Sequence, residues 1–398
     1  MSSSRPRRST YPAWIGVALA FYAFIAIGIA EGGLGVLLPS ILTTYNLTPA
    51  TVTLLFLSQV TGYAIAALTS SLLSSRVGLA RMLLIAAIIL TSALSIYAFT
   101  THWFVMVATG TLLGLGIGLI DAGINTFIAS SQDNANLMGL LHAFYGIGAL
   151  LGPALATLLL TLGINWRYVY LVIVGVVGLT IVGMLWAVWH NYQPMTVQVA
   201  ASGTDAKANL SLALRKPTVL VAGMFLLIYV GTEASLGNWA YTVQSVSRGT
   251  PAWIAGYSVS GYWLGLTLGR FATGQMVKYL GAVRTVDFSL MLLLAGLGIW
   301  WLVPPGQLLS LPLIGFSLAA IYPITIWLMP QRVPSSIVPA AIGFLSSVGS
   351  LGAATIPTGL GWIADKAGLG VIPALMVVLA IVAIALHRWL VSHAPVKS

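Results

Sequence analysis

Long apolar runs, separated by short polar connections, fill the chain from about residue 14 to residue 393. Each run has about the length, some 20 residues, that an α-helix needs to cross the apolar core of a membrane. The runs are continuous, whereas the strands of a membrane barrel alternate apolar and polar positions over short segments. We predict twelve membrane-spanning helices, at roughly 14–43, 51–74, 79–100, 103–130, 137–162, 165–190, 218–246, 251–276, 282–303, 307–331, 337–363 and 369–393.

The longest polar stretch, residues 191–217, divides these helices into two groups of six. Its Ser, Thr, Ala and Asn content predicts a mobile linker that holds, at most, a short surface helix. The predicted organisation is an N-terminal six-helix bundle over 1–190, the linker, and a C-terminal six-helix bundle over 218–398. The expected fold class is therefore an all-α membrane protein.

An internal repeat relates the two groups of helices. Glu31–Gly35 reads EGGLG and Glu233–Gly237 reads EASLG, at an offset of 202 residues. Three further matches keep the helix order, namely Thr61–Tyr63 with Ser260–Tyr262, Gly78–Arg81 with Gly281–Arg284, and Pro153 with Pro357, at offsets of 199, 203 and 204. Six is an even number of crossings, so both groups enter the membrane from the same side. This predicts parallel repeats about an axis along the membrane normal.

Composition supports the membrane assignment. Of the 398 residues 59% are hydrophobic and 6% are charged, whereas soluble domains carry roughly 25% charged residues. The absence of cysteine excludes disulfides and thiol chemistry. The net charge is +10, but the basic residues form no run that alternates with aromatic residues on one face. We therefore expect no nucleic-acid partner.

The basic residues predict the orientation. If the N-terminus is cytoplasmic, the inner segments hold Arg5, Arg7, Arg8, Arg76, Arg81, Lys207, Arg215, Lys216, Lys278, Arg284, Arg332, Arg388 and Lys397, and the outer loops hold Arg167, Arg248 and Lys366. This ratio of thirteen to three follows the positive-inside rule. We expect a multi-pass protein of the bacterial inner (cell) membrane with both termini in the cytoplasm.

Three of the seven acids, Glu31, Asp121 and Glu233, fall inside predicted spans. A carboxylate that faces lipid at the centre of the membrane costs about 2.5–3.5 kcal/mol on insertion scales, so we expect all three to face the protein interior or a wet cavity. No Lys or Arg is predicted at their depth, since Arg270 lies closer to the cytoplasmic side. Buried acids without a cationic partner can hold protons, which makes these three the candidate proton-coupling residues. The alternative is a protonated acid that only fixes helix packing.

Polar and aromatic residues near these acids suit a ligand site for a hydroxylated, uncharged solute such as a sugar. The candidate substrate-binding residues are Glu31, Gln59, Tyr63, Asp121, Asn125, His142, Tyr145, Glu233, Asn238, Trp239, Gln244, Tyr262, Trp263, Tyr322 and Trp327. The alternative for the aromatic members is anchoring at the lipid–water interface, and for His142 a structural role. No Walker loop, metal cluster or nucleophile elbow occurs, so we expect no enzyme activity, no cofactor and no metal. The expected partners of this monomer are a small solute, protons and membrane lipids.

Several of these segments resemble the major facilitator superfamily, over essentially the whole chain. The loop after helix two keeps Arg76 and Gly78 of that family's G-xxx-D-[RK]-x-G signature and lacks its first Gly and its Asp, while Gly148–Pro153 resembles the G-xxx-GP element of exporters. Asp121–Asn125, Tyr229–Gly237 and Tyr262–Phe271 are most similar to the fucose/galactose/glucose:proton symporter group. The resemblance implies proton coupling and sugar contact by acids in helices one and four, here Glu31 and Asp121.

The sequence thus predicts a secondary active transporter in which two halves rock about a site at mid-membrane and couple a small, uncharged polar solute to protons. Two alternatives stay open. One is a proton-driven exporter of drug-like or lipid-like amphipathic compounds on the same fold. The other is a membrane sensor that transports nothing.

Overall fold

Helices make up almost all of the chain that the computed structural model describes, which is residues 11–129, 134–195, 206–303 and 307–394. No strand occurs in these ranges. The long helices are α1 (Ala13–Tyr45), α2 (Pro49–Val77), α3 (Leu79–Phe99), α4 (Trp103–Ala129), α5 (Asn134–Thr161), α6 (Trp166–Trp189), α7 (Pro217–Ser247), α8 (Ala252–Leu280), α9 (Ala282–Leu302), α10 (Leu309–Arg332), α11 (Ser335–Ala367) and α12 (Leu369–His393). Short irregular turns interrupt α1 at Gly33 and α10 at 319–320.

Eleven of these helices, among the described residues, are both long and apolar enough to cross a membrane. The exception is α8, whose 29 residues give it sufficient length but which contains Arg270, Lys278 and several Ser, Thr and Gly. It packs between α5 and α10 and so lies in the bundle like the other helices. The prediction of twelve spanning helices is confirmed, since each predicted segment coincides with one long helix.

The packing repeats between the first and the second six helices. In the N-terminal half α1 packs on α5, α2 on α4 and α3 on α6, and in the C-terminal half α7 packs on α11, α8 on α10 and α9 on α12. The connections repeat as well, because Gly78 (φ +86°) joins α2 to α3 and Gly281 (φ +82°) joins α8 to α9. Both glycines adopt the left-handed region that other residues rarely occupy. The fold is therefore two parallel-repeat six-helix bundles.

The two halves meet along α1–α7, α2–α11 and α5–α8. We call the side that carries both chain ends the termini face and the opposite side the far face. Towards the far face, the rings of Phe56 and Trp239 lie 5.9 Å apart, Gly361 packs against Trp239, and Gly256 packs against Thr157. These contacts close the interface at the far face. Between the two halves they leave a cavity on the termini side.

The segment between the halves is anchored at both ends. Tyr192 and Met195 are fully buried in the N-terminal half. The Tyr192 hydroxyl accepts a hydrogen bond from the Gly16 N–H (3.0 Å) and donates one to the Pro12 carbonyl (3.0 Å), so it ties the first turn of α1 to the chain that follows α6. A short helix, Ala206–Leu214, packs on α11. The rest of the predicted mobile linker, 196–205, lies outside the described residues, as do Arg5, Arg7, Arg8, Lys397, Asp133 and Asp205.

Candidate functional site

A cavity of about 410 Å³ lies between the two halves. Four helices of the N-terminal half (α1, α2, α4 and α5) and three of the C-terminal half (α7, α8 and α11) contribute to its wall. The lining residues are Phe24, Ile27, Glu31, Gly32, Leu34, Phe56, Gln59, Val60, Tyr63, Gly114, Ile117, Asp121, His142, Tyr145, Val230, Glu233, Ala234, Gly237, Asn238, Trp263, Arg270, Ser350 and Ala353. All three predicted intramembrane acids therefore share one cavity.

Glu31 of α1 is exposed to this cavity, and Tyr145 of α5 donates a hydrogen bond of 2.7 Å to its Oε2. The contact depends on the close approach of α1 and α5. A Cβ atom at Gly28 would lie 2.8 Å from the Ala149 main-chain nitrogen, and one at Gly32 would lie 3.1 Å from the Ala149 Cα. Because glycine leaves this space free, the two backbones touch and the tyrosine reaches the carboxylate.

Asp121 of α4 has two side-chain partners. Tyr63 of α2 donates to its Oδ2, and Asn125, one turn along the same helix, donates to its Oδ1 at 2.8 Å. As with α1 and α5, a glycine brings the helices together, because a Cβ at Gly118 would lie 3.2 Å from the Tyr63 Cα. The partners of both N-terminal acids are thus hydroxyl and amide groups.

Glu233 of α7 differs from these two acids because a cation faces it. The Arg270 Nη2 of α8 lies 3.9 Å from the Glu233 Oε1, and Tyr229 donates to Oε2. Tyr262 donates to the Glu233 main-chain oxygen at 3.1 Å. The expectation that no basic residue lies at the depth of the acids is therefore wrong for Glu233. The arginine backbone is nearer the termini face, but a long side chain carries its charged head well away from its own Cα.

The repeated Leu-Gly that follows each glutamate marks the place where the two halves cross. Gly35 of α1 lies against Gly237 of α7, its repeat equivalent, and a Cβ at Gly35 would lie 3.0 Å from the Gly237 carbonyl carbon and 3.2 Å from the Asn238 Cα. The pseudo-twofold axis that relates the halves therefore passes near this contact. Glu31 and Glu233 each lie one helical turn before it, on the termini side, where the cavity begins.

The structure brings nine of the fifteen predicted site residues to the cavity wall, namely Glu31, Gln59, Tyr63, Asp121, His142, Tyr145, Glu233, Asn238 and Trp263. Three more lie directly behind them. Asn125 holds Asp121, Tyr262 holds the Glu233 backbone, and Tyr322 lies 6.1 Å from the Tyr229 ring.

The remaining three predicted site residues are not at the cavity. Trp239 is fully buried and donates its indole N–H to the Pro357 carbonyl at 3.0 Å. Gln244, also buried, bonds Ser258 at 3.0 Å in the last turn of α7. Trp327 is exposed on the outside of the bundle, as the lipid-anchor alternative expects.

Sequence reasoning did not assign Arg270 to the site, although it was the one lysine or arginine that the orientation count left within a helix, which was a signal. It also did not identify the apolar wall that includes Phe24, Phe56, Ile117 and Val230, because apolar residues in a membrane helix carry no mark of which face they occupy. Within the described residues, no group of three or more His, Cys, Asp or Glu is placed to hold a metal ion.

Twelve spanning helices in two parallel repeats, with a cavity between the halves that holds three acids, define the class of multi-pass membrane proteins that move solutes by alternating access. The Major Facilitator Superfamily model matches residues 19–317. The chain therefore belongs to this superfamily of transporters.

Individual relatives are distant but span the chain. The glucose/mannose transporter GlcP of Bacillus subtilis is 26% identical, over 94% of this chain and 95% of its own length. Bypass of stop codon protein 6 of Saccharomyces cerevisiae is 24% identical, over 88% of this chain and 77% of its own. The crystal structure of the nucleoside transporter NupG superposes with a TM-score of 0.78 at 12% identity, covering 95% of this chain and 99% of that one. The last comparison supports the fold alone.

Proposed function

We propose that this protein couples the movement of a small, uncharged polar solute such as a sugar to the movement of protons. The observation that carries the proposal is the pair of acids, Glu31 and Asp121, in one cavity, where their side-chain partners among the described residues are hydroxyl and amide groups. A proton on each removes a charge that would be costly at mid-membrane. Proton loading and release then change the free energy with which the two halves reorient.

The cavity suits such a solute in size and chemistry. Its volume of about 410 Å³ lies within the roughly 300–1,000 Å³ of small-molecule sites. Gln59, Tyr145 and Asn238 present hydrogen-bonding groups, and Trp263 presents an aromatic face. The named activity of the glucose/mannose transporter relative agrees with this assignment.

Orientation is part of the proposal. The thirteen-to-three distribution of basic residues assigns the termini face to the cytoplasm, with the protein in a bacterial inner membrane. Since the far face is closed, the cavity is then accessible from the cytoplasm. This corresponds to one of the two end states of an alternating-access cycle.

A second candidate is proton-driven export of drug-like or lipid-like amphipathic compounds. The observation that favours it is the apolar part of the wall, with Phe24, Phe56, Ile117 and Val230. Both candidates use the same acids for coupling, so they differ in the solute alone.

The test is transport by purified protein in liposomes under an imposed pH gradient, with glucose and the lipophilic cation tetraphenylphosphonium as probes. We expect gradient-driven glucose movement, its loss in Glu31→Gln and in Asp121→Asn, and no change in the matched variant Asp365→Asn, whose acid is exposed outside the cavity at the far end of α11. Gradient-driven glucose flux that persists when Glu31→Gln and Asp121→Asn are combined would refute the coupling assignment. Flux of the cation alone would favour the exporter.

A further inference from the structure

The three acids of the cavity have different electrostatic surroundings. Glu31 and Asp121 contact hydroxyl and amide groups, whereas Glu233 faces Arg270. Among the described residues, no other lysine or arginine lines the cavity. The arginine has no counterpart in the first half, because the offset of 199 that relates α2 to α8 places Ser71 at the matching position. The duplication therefore kept the acid in both halves and a cation in only one.

Among the described residues, the charged and titratable groups around Glu233 and Arg270 lie on α5, α7 and α8, and they include His142 of α5, which is within electrostatic range of Arg270. On its own helix Tyr229 donates to the carboxylate. From α8, Arg270 faces Oε1 and Tyr262 binds the main-chain oxygen. From α5, Tyr145 lies within electrostatic range of Glu233 as well as Glu31, while α11 contributes only a serine and an alanine to this wall.

The separation of the two charged groups leaves both able to bind a ligand. The distance of 3.9 Å between the Arg270 Nη2 and the Glu233 Oε1 exceeds the roughly 3.2 Å limit of a direct hydrogen bond. Their side chains are 30% and 19% exposed, and both line the cavity with Asn238 and Trp263. A hydroxylated solute can donate to the carboxylate oxygen and accept from the guanidinium, with its apolar face on the indole.

We propose that Glu233 and Arg270 form a charged pair that binds the solute and carries no transported proton, so that Arg270 is a specificity-determining residue. This proposal rests on the proton-coupled function proposed above. It assigns different tasks to repeat-related residues, with Glu31 as a proton carrier and Glu233 as a solute ligand. The guanidinium compensates the charge of Glu233, so the pair needs no proton to remain at mid-membrane.

The first test is equilibrium binding of glucose to the purified full-length protein in detergent. We expect Glu233→Gln and Arg270→Gln to raise the Kd at least tenfold and Arg270→Lys to recover part of the loss. The matched control is Lys278→Gln, two turns further along α8 on an exposed position, which should bind as the wild type does. A double variant that exchanges the two residues, Glu233→Arg with Arg270→Glu, retains an ion pair for packing and should still bind poorly. Wild-type Kd in Arg270→Gln, or full recovery in the exchanged variant, would mean that the pair is only structural.

The second test is the number of protons moved per glucose, measured in liposomes by finding the pH gradient that just balances a known glucose gradient. We expect Glu233→Gln to keep the wild-type number and Arg270→Gln to raise it, because Glu233 then lacks its counter-charge. In Glu31→Gln we expect no pH gradient to balance the glucose gradient, since gradient-driven movement is lost. A lower number in Glu233→Gln would overturn the division of tasks. If the wild type binds glucose but moves no protons with it, the proposed coupling fails, and the Kd values above still decide whether the pair binds solute.

Discussion

Replacing Gly35 by alanine should shift the protein away from the state in which its far face is closed. The new methyl group would point at the backbone of Gly237, with the carbonyl carbon 3.0 Å and the Asn238 Cα 3.2 Å away. Neither partner is a flexible side chain, so α1 and α7 must separate to relieve the contact. The contact forms only where the halves meet, and a state that is open at the far face would not contain it.

The size of the shift follows from the cost of overpacking, typically about 1–3 kcal/mol. If that cost falls on the far-closed state alone, the ratio of far-open to far-closed molecules rises by about 5- to 150-fold. The chain contains no cysteine, so one introduced cysteine serves as a reporter. Thr53 is fully buried beneath Gly361 at the far closure, and Thr53→Cys should become accessible when this side opens.

The assay is the rate at which a membrane-impermeant maleimide labels Thr53→Cys in oriented liposomes. Gly35→Ala should raise this rate within the stated range, while the exposed reporter Thr101→Cys should label equally in both backgrounds. The matched control is Gly298→Ala, where a Cβ meets nothing within 4 Å. If Gly35→Ala melts like the wild type and leaves the labelling rate of Thr53→Cys unchanged, the Gly35–Gly237 contact does not stabilise the far-closed state.

Four further substitutions test the packing. Tyr192→Phe leaves a helix N–H without its acceptor in a buried site, and we expect a loss of about 1–3 kcal/mol, read as a lower melting temperature. Gly281→Ala should destabilise by roughly 1–2 kcal/mol because φ is +82° there, whereas Gly298→Ala, within α9 and in open space, should stabilise by about 0.5–1 kcal/mol. Trp239→Phe removes the hydrogen bond to the Pro357 carbonyl and should lower the melting temperature by a similar mechanism to Tyr192→Phe.

Each of these expectations has a result that would contradict it. For Tyr192→Phe it is a wild-type melting temperature, since that would mean that water or another group replaces the hydroxyl. For the two glycines it is a change of stability with the same sign in both variants. The expected loss at Gly281 rests on its backbone conformation, whereas the expected gain at Gly298 rests on helix propensity. For Trp239→Phe it is an unchanged melting temperature, since that would mean that the hydrogen bond to the Pro357 carbonyl adds nothing to stability.

The number, order and approximate limits of the helices followed from the sequence because burial in lipid demands long apolar runs. Even α8, the least apolar of the twelve, was predicted, since its polar residues are spread thinly along 29 residues. The parallel repeat was also readable, from four short matches at nearly one offset. The matches persist because the matched residues have the same structural role in each half. Gly78 and Gly281, for example, both join two helices through a backbone with positive φ.

The site was only partly predictable, because membrane helices lack the polar–apolar division that marks an inner face in soluble proteins. Lipid and protein neighbours both select apolar side chains, so helix rotation is hidden from the sequence. Tyr322 and Trp327 therefore looked equivalent, although one lies behind the cavity and the other is exposed outside the bundle. Arg270 was placed too far from Glu233 because residue counting locates the backbone and ignores the reach of the side chain, about six bonds from Cα to Nη2.

The anchors at the two ends of the linker limit how far the halves can part. Met195 is fixed in the N-terminal half, and the helix that begins at Ala206 is fixed on α11. Eleven backbone steps separate these residues, which corresponds to at most about 40 Å of extended chain. The linker is therefore a tether with a fixed maximum length. Deletions within 196–205 offer a way to measure how widely the termini face opens during the cycle. Each deleted residue shortens the tether by about 3.5 Å, and transport should stop at the length at which the open state can no longer form.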